Sequence, residues 1–586
     1  MTRTTRSHKQ RHPGEGILLV SLLVILLIGA GFRFYNINWD EGTYHIHPDE
    51  RHTTMVITRI EWPGSLGEYF DTSRSLLNAR NVDMVYFYGT LPLFLTKFVA
   101  DVFGHTGYDE IHLVGRMLSA LFDLGAVALL FFMARRLFDW RAGLISALLL
   151  ALTALNIQGS HYFTVDTFLT FFVALTIWFT LDVAEGRSWT SFVGMGLMLA
   201  CKVSVFLLLV VVALGGWVRL RRRARAGQSA GVAASTTLGG LVLAALLALI
   251  IFRVVQPYAW AGPNYEGWDR IPEPWGERVA FFQQVPEPIR ATIMPNPQWV
   301  VDIVAAGAQQ TGEADMPWGR QWTERPAWLW PLQNMVLWSL GVPLGVAAWL
   351  GVVLVTVWVV RTWAQRRRSP TEPPAASATD AVQGVVGPRG MANWDLVLIP
   401  LAWVVLTFLW QGMQYVKSVR YFMPIHPFLA MFAAFLVVVA WDWARGRRWV
   451  AKAAAGSLAA IVLLGTLAWA FAFVQIYTEP VTRVQATRWI YENVESGATL
   501  HYRSGDGQPG QLQLPLPSIQ IYGADGQWQT TPFTPADDLV IREIVMNHLT
   551  GLEEPSEAEF EVRITDAGGV ALASGTVESV FGGEGG

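Results

Sequence analysis

The sequence predicts an all-α polytopic membrane protein that carries a small β-rich domain at its C-terminal end. Three observations predict this. Apolar residues form 52% of the 586-residue chain and come in long blocks, while only 15% of residues are charged; soluble domains carry roughly 25%. Each block approaches the roughly 20 apolar residues that a helix needs to cross a bilayer core. The dense arginine clusters lie between blocks in a pattern that puts all of them on one side, which is the mark of the cytoplasmic face.

The blocks lie at about 16–35, 112–136, 142–159, 163–183, 188–201, 203–219, 232–255, 327–360, 394–414, 422–442 and 450–476. They predict about eleven transmembrane helices. The first follows Arg3, Arg6, Lys9 and Arg11 and could be a secretory leader, but no small-x-small cleavage site precedes a polar start. Arg33, Phe34 and Tyr35 continue it as interface residues, so it reads as a retained span. The stretch from Trp189 to Leu220 is long for one span and short for two. Splitting it at Lys202 keeps a lysine out of the membrane centre. A single tilted helix with a buried lysine is the alternative, and it would send Arg219–Arg225 to the other side.

With a cytoplasmic N-terminus, alternation places Arg135, Arg136, Arg141, Arg187, Arg219–Arg225, Arg361–Arg368 and Arg445–Lys452 in the cytoplasm. The long loops 36–111 and 256–326 fall on the opposite, extracytoplasmic face. So does the tail from Tyr477. The Pro/Ala/Ser-rich stretch 370–390 reads as a linker on the inner side. The stretch from Tyr86 to Phe103 is too short and interrupted for a further span and reads as a helix lying in the interface. A single cysteine, Cys201, excludes an internal disulfide framework. A net charge of −3 gives no sign of a nucleic-acid partner. The expected home is the cell membrane.

The chain divides at about residue 480. Residues 1–480 form the membrane domain and 481–586 the extracytoplasmic domain. Arg483–Glu495 reads as an amphipathic helix. Thr499–Tyr502, Ser518–Tyr522, Glu559–Thr565 and Val570–Ser574 read as strands of a sandwich-like fold, with Gly568-Gly569 as a hairpin turn.

The polar residues that carry chemistry gather on the outer side. The first outer loop holds Asp40-Glu41, His45 and His47-Pro48-Asp49-Glu50-Arg51-His52. Carboxylates so placed can act as a general base. His47, Asp49 and His52 could also hold a divalent metal. Pro48 followed by two acids equally reads as the start of a helix, with acids in its first turn. Asp166 stands at the outer mouth of the fourth span and Lys202 at that of the fifth and sixth. Lys417, Arg420, Tyr421 and His426 stand at the mouth of the tenth. Ionisable residues at such mouths are functional candidates, and guanidinium binds phosphate through two donors; snorkelling anchors are the bland alternative. Acids, basic phosphate clamps and an outer mouth suit transfer from a phosphate-bearing lipid.

Taken together, the first-loop acids, Gly115-Arg116-Met117-Leu118-Ser119-Ala120, Asp166, Cys201-Lys202 and Arg420-Tyr421-Phe422-Met423-Pro424 resemble the GT-C superfamily of membrane glycosyltransferases. The likeness is to its protein O-mannosyltransferase and aminoarabinose transferase branch and covers about residues 16–480. It implies a sugar donor carried on polyprenyl phosphate and an acceptor (protein, lipid or glycan) at the outer face, in the setting of cell-envelope or protein glycosylation. It implies a first-loop acid as the base: Asp49, followed by Glu50, or alternatively Asp40. It implies Asp166 as a second acidic position, and Lys202 and Arg420, with Lys417 and Tyr421 beside it, around the lipid phosphate. A single displacement would invert the anomeric centre. The histidines around Asp49 depart from the aminoarabinose branch and leave a metal-assisted variant open. Rival classes are a transporter or flippase for a lipid-linked sugar, and a non-catalytic envelope assembly protein.

Overall fold

The computed structural model describes residues 13–41, 46–86, 88–186, 207–263, 265–314, 316–368, 393–493, 498–514, 530, 532–534, 538–546 and 556–581. The chain forms two compact units, Met1–Glu479 and Pro480–Gly586.

The first unit is helical: α1 Glu15–Phe34, α2 Pro48–Arg59, α3 Thr90–Phe103, α4 Tyr108–Leu137, α5 Trp140–Ala151, α6 Ala154–Ser160, α7 Val165–Glu185, α8 Leu207–Arg225, α9 Ala230–Val255, α10 Pro297–Thr311, α11 Val342–Arg368, α12 Trp394–Met413, α13 His426–Arg445 and α14 Trp449–Val474. Among the described residues, eight helical segments are long and apolar enough to cross a membrane, and the bent pair α5–α6 would make a ninth. The protein is therefore a multi-pass membrane protein. Of the remaining expected spans, 188–201 lies outside the described residues. Of the segment 203–219, the described part from Leu207 is helical and belongs to α8, whose last turns carry Arg222, Arg223 and Arg225. Helices α7 and α8 run in the same direction: Gly215 packs on Thr180, and Arg219 donates to the Val183 carbonyl at 2.9 Å. Lys202, the expected point of the split, lies outside the described residues.

One end of the bundle is tied by arginines. Arg135 meets Glu15 at 2.6 Å, Arg136 meets Asp182 at 2.8 Å, Arg141 meets Asp442 at 2.6 Å and Arg222 meets Asp395 at 2.5 Å. These pairs join the ends of α1, α4, α5, α7, α8, α12 and α13. The opposite end carries Arg33, Arg116, Asp166 and Arg420.

Two expected spans are broken. The block 142–159 bends by 57° between α5 and α6. Carbonyls freed inside a bilayer need new donors, and Arg33 supplies them: its Nη1 reaches the Ala151 carbonyl at 2.7 Å and its Nη2 the Leu150 carbonyl at 3.4 Å. The block 327–360 is not one span. A short helix at Leu329–Asn334 and a wide turn at Met335–Ser339 precede α11, which starts only at Val342. Gly341 adopts φ +79° at the break, and a Cβ there would lie 2.6 Å from Trp469; glycine alone takes that backbone without strain. Pro343 then occupies the first turn of α11, where a missing N–H costs nothing.

The loops 36–111 and 256–326 are mainly short helices. At 14 residues, α3 is shorter than a span. The two loops are bound together: Ser75 and Tyr258 hydroxyls lie 2.8 Å apart, Thr72 donates to the Trp260 carbonyl at 2.7 Å, and Arg80 pairs with Asp302 at 2.5 Å.

The second unit begins with α15, Thr482–Asn493, close to the expected amphipathic helix. Its strands are β1 Ala498–Ser504, β2 Pro509–Leu514, β3 Leu539–Met546, β4 Ser556–Thr565 and β5 Ala571–Phe581. They form an antiparallel sheet of order β2-β1-β3 and a β4–β5 hairpin. The hairpin closes at Gly568-Gly569, where Asp566 accepts from the Gly568 and Val570 amides at 2.9 and 2.8 Å. The expected strand Ser518–Tyr522 lies outside the described residues. Strands β2 and β3 were not expected; β2, Pro509-Gly510-Gln511-Leu512-Gln513-Leu514, opens on two residues that read as turn formers.

Candidate functional site

The site is built from the start of α2. His47 is the N-cap, Pro48 the first helical residue, and Asp49 and Glu50 fill the first turn. Neighbouring helical residues point about 100° apart, so the two acids face different surroundings.

Glu50 turns into the bundle and meets Arg116 of α4. Arg116 donates Nε and Nη2 to the two Glu50 oxygens, each at 2.7 Å. It also donates Nη1 and Nη2 to Asp40 at 2.9 and 2.8 Å, and Nη1 to the Ile37 carbonyl at 2.9 Å. All five guanidinium N–H groups are used. The side chains of Arg116, Asp40 and Glu50 are fully buried. The Phe163 amide adds a donor to Glu50 at 2.7 Å, and Trp39 lies under the guanidinium at 5.3 Å. Gly115 permits this approach, because a Cβ there would fall 2.2 Å from Phe163. Asp40 and Glu50, expected as base candidates, are thus tied up in a closed ion cluster that anchors the first loop and α2 to the bundle.

Asp49 turns instead to a small recess lined by Asp49, Thr53, Tyr88, Thr164, Asp166 and Arg420. Arg420 Nη2 lies 2.5 Å from Asp49 Oδ2, with both side chains about a quarter (26%) exposed. Asp166, in the first turn of α7, acts on the same guanidinium electrostatically. Two helix N-termini, those of α2 and α7, therefore meet here, each with an aspartate in its first turn. Helix N-termini favour negative charge and bind phosphate groups. The His47 ring is 3.3 Å from Arg420 Nη1. Burial first, and Arg420 next, hold its imidazole below the ordinary histidine range, against Asp49, Glu50 and Asp166. Burial first, and then the Asp49 charge, push the Tyr88 phenol well above its ordinary value, so that it keeps its proton.

Arg420 sits in a tight turn, Val419–Ile425, leading into α13. Trp403 fixes this turn by donating to the Pro424 carbonyl at 3.0 Å. His426 fixes it through Asn156 at 3.0 Å, and Asn156 donates to Asp123 at 2.7 Å. Asp123 is paired with Arg33 at 2.5 Å.

The other expected site residues fall as follows. Tyr421 packs under Arg420, with the guanidinium 5.4 Å from its ring centre. Lys417 turns away: it donates to the Tyr415 carbonyl at 3.2 Å and does not line the recess. Lys202 and His45 lie outside the described residues. His47, Asp49 and His52 do not converge as metal ligands would. His52 is turned to the Val85 carbonyl at 2.6 Å, and among the described residues no three His, Cys, Asp or Glu side chains gather around one point. Arg116, Asp123 and Tyr88 were given no role by the sequence, although an arginine and an aspartate inside the apolar run of α4 are themselves a signal.

Comparison with known proteins agrees with this architecture. Residues 89–258 match the family model of dolichyl-phosphate-mannose-protein mannosyltransferase. No curated protein matches the chain. Among solved structures, the apo oligosaccharyltransferase of Archaeoglobus fulgidus aligns with a TM-score of 0.50 at 16% identity, over 82% of this chain and 59% of that one. The same archaeon's oligosaccharyltransferase AglB, in complex with an inhibitory peptide and a dolichol-phosphate, aligns at 0.47 and 16%, over 82% and 58%. ArnT from Cupriavidus metallidurans bound to undecaprenyl phosphate aligns at 0.41 and 14%, over 82% and 81%. The chain thus spans about three-fifths of the archaeal enzyme (59%). Its fold is that of the GT-C membrane glycosyltransferases.

Proposed function

We propose that this protein is a membrane glycosyltransferase. It moves a sugar from a polyprenyl-phosphate donor to an acceptor hydroxyl at the face opposite its arginine-tied end. The observation that carries the reading is the convergence of Asp49, Asp166 and Arg420 on one recess at two helix N-termini. The matched family model supports the donor class, since its description names a dolichyl-phosphate sugar. The positive-inside rule supports the sidedness: the arginine-tied end is cytoplasmic, with the N-terminus there, and the recess is extracytoplasmic. Following the last helix, the C-terminal unit is extracytoplasmic as well.

In this reading Arg420, and Lys202 with it, take the phosphate of the bound donor. Arg420 then shares its charge between the phosphate and Asp49, so donor binding raises the basicity of Asp49. The acceptor hydroxyl gives its proton to Asp49 as its oxygen attacks the anomeric carbon. The bond from that carbon to the phosphate oxygen breaks, the electron pair leaves with the phosphate, and Arg420 stabilises the developing charge. One displacement inverts the anomeric centre. Asp166 holds Arg420 in place, and the protonated Tyr88 phenol offers a donor to the sugar or the phosphate. The arrangement supplies a base, which a transporter of lipid-linked sugar would not need.

The test is release of polyprenyl phosphate by the purified protein given a polyprenyl-phosphate hexose and mixed acceptors. Release in step with acceptor glycosylation supports a transferase. Donor movement across a vesicle membrane with no cleavage would replace it with a transporter.

A further inference from the structure

The end of α9 away from the arginine-tied side carries apolar surface and charge that the reaction recess does not use. α9 faces lipid, since only 11% of its most apolar stretch is buried inside the protein. Ile250 and Val254, one turn apart, are exposed on it. The second outer loop returns to this end. The Ala261 amide donates to the Met294 carbonyl and the Asn296 amide to the Ala259 carbonyl, both at 2.9 Å. The short helix just before, Glu287–Ile293, exposes Ile289 and Ile293, also one turn apart. Apolar side chains exposed together mark an interaction surface, and continuity with the lipid-facing side of α9 assigns this one to the membrane. We infer that this corner is a seat for an anionic phospholipid of the leaflet opposite the arginine-tied end.

The charge of the corner selects the headgroup. Arg253 donates Nη1 to the Pro257 carbonyl at 2.8 Å and Nη2 to the Ala291 carbonyl at 3.5 Å. Its guanidinium lies 4.9 and 5.9 Å from the Phe70 and Trp260 ring centres. Arg290, the residue beside Ala291, lies over Trp268 at 5.9 Å. Among the described residues neither arginine has a carboxylate within ion-pair distance, not even Glu287 on the same short helix; Arg80 and Arg116, by contrast, are both paired. Guanidinium groups bind phosphate through two donors. A zwitterionic headgroup brings its own cation to two unpaired arginines, whereas a net-negative one does not. Tyr69, which donates to the Val254 carbonyl at 2.6 Å, joins Trp260 and Trp268 as rings suited to headgroup level. None of these residues lines the recess of Arg420, so the lipid is a resident and not the donor. Its binding does not depend on the transferase reading.

The test uses the full-length protein in nanodiscs. A spin label is placed at Ile293→Cys, with the single native cysteine removed by Cys201→Ser, and is read by power saturation against oxygen and a water-soluble nickel chelate. Oxygen access should exceed nickel access. Nickel access above oxygen would place the segment in water, and shielding from both would mean that a protein partner or a second copy covers it; either overturns the inference. Lipid retained through detergent washing is counted by native mass spectrometry. Phosphatidylglycerol should be kept in preference to phosphatidylcholine. Arg290→Gln should weaken that retention about fivefold with the thermal midpoint unchanged, and Arg253→Gln by at least as much. Equal retention of the two lipids, or phosphatidylglycerol retention that Arg290→Gln leaves intact, overturns the inference. So does displacement of phosphatidylglycerol by an equivalent of polyprenyl phosphate, which would make the corner a donor site.

Discussion

Two arginine–carboxylate groups flank the same short helix and behave oppositely. Around Arg116 every guanidinium N–H has a protein acceptor, and the side chains are fully buried. Around Arg420 the contact to Asp49 leaves both side chains about a quarter (26%) exposed, at a recess that also holds Asp166. The first group is framework and the second is open to a ligand. Adjacent residues, Asp49 and Glu50, are sorted between them by the turn of one helix. Chemistry needs a carboxylate whose partner can be drawn away, and only the open group offers one.

That contrast can be broken from the closed side. Arg116→Met strands two buried carboxylates and should cost about 3–5 kcal/mol, seen as a large fall in the thermal midpoint in detergent. Arg116→Lys keeps the charge, loses the fork geometry and should fall between. From the open side, Arg420→Ala should lower the rate of donor cleavage by about 10²–10³-fold and move the midpoint much less than Arg116→Met does. Equal midpoint losses for the two arginines would erase the distinction.

Smaller effects sharpen it. Burial and Arg420 depress the folded pKa of His47. Below the free-histidine value of about 6.5, the unfolded chain binds a proton that the folded chain refuses. The contribution to stability is therefore complete above that value and is lost as pH falls through the window down to the folded value. His47→Gln should flatten this part of the stability-against-pH curve relative to wild type, and an unchanged slope would remove His47 from the electrostatics of the open group. The smallest effect is expected at the other end of the bundle. Arg135 and Glu15 pair at an exposed rim, and Arg135→Gln should leave the thermal midpoint where it is.

Much of this was legible in the sequence for a physical reason. Apolar length and arginine sidedness are local signals, and they placed Asp49, Asp166 and Arg420 at one end of the bundle before any contact was known. The hairpin at Gly568-Gly569 was legible because a turn is written in adjacent residues. The partners of Arg116 were not, since Asp40 and Glu50 lie 76 and 66 positions away and no local period links them. Nor was the choice among the first-loop acids, which depends on helix phase: Asp40, Asp49 and Glu50 look alike in a string and differ only once α2 is docked. The start of α11 was half legible, because Gly341 and Pro343 mark a break that the surrounding apolar run conceals.

The central claim is that Asp49, not its neighbour, does the proton transfer. The direct measurement compares Asp49→Asn and Glu50→Gln for both polyprenyl-phosphate release and thermal midpoint. Asp49→Asn should lose about 10²–10⁴-fold in rate and keep the wild-type midpoint. Glu50→Gln should lower the midpoint by far more. An Asp49→Asn protein that releases lipid phosphate at the wild-type rate would contradict the account.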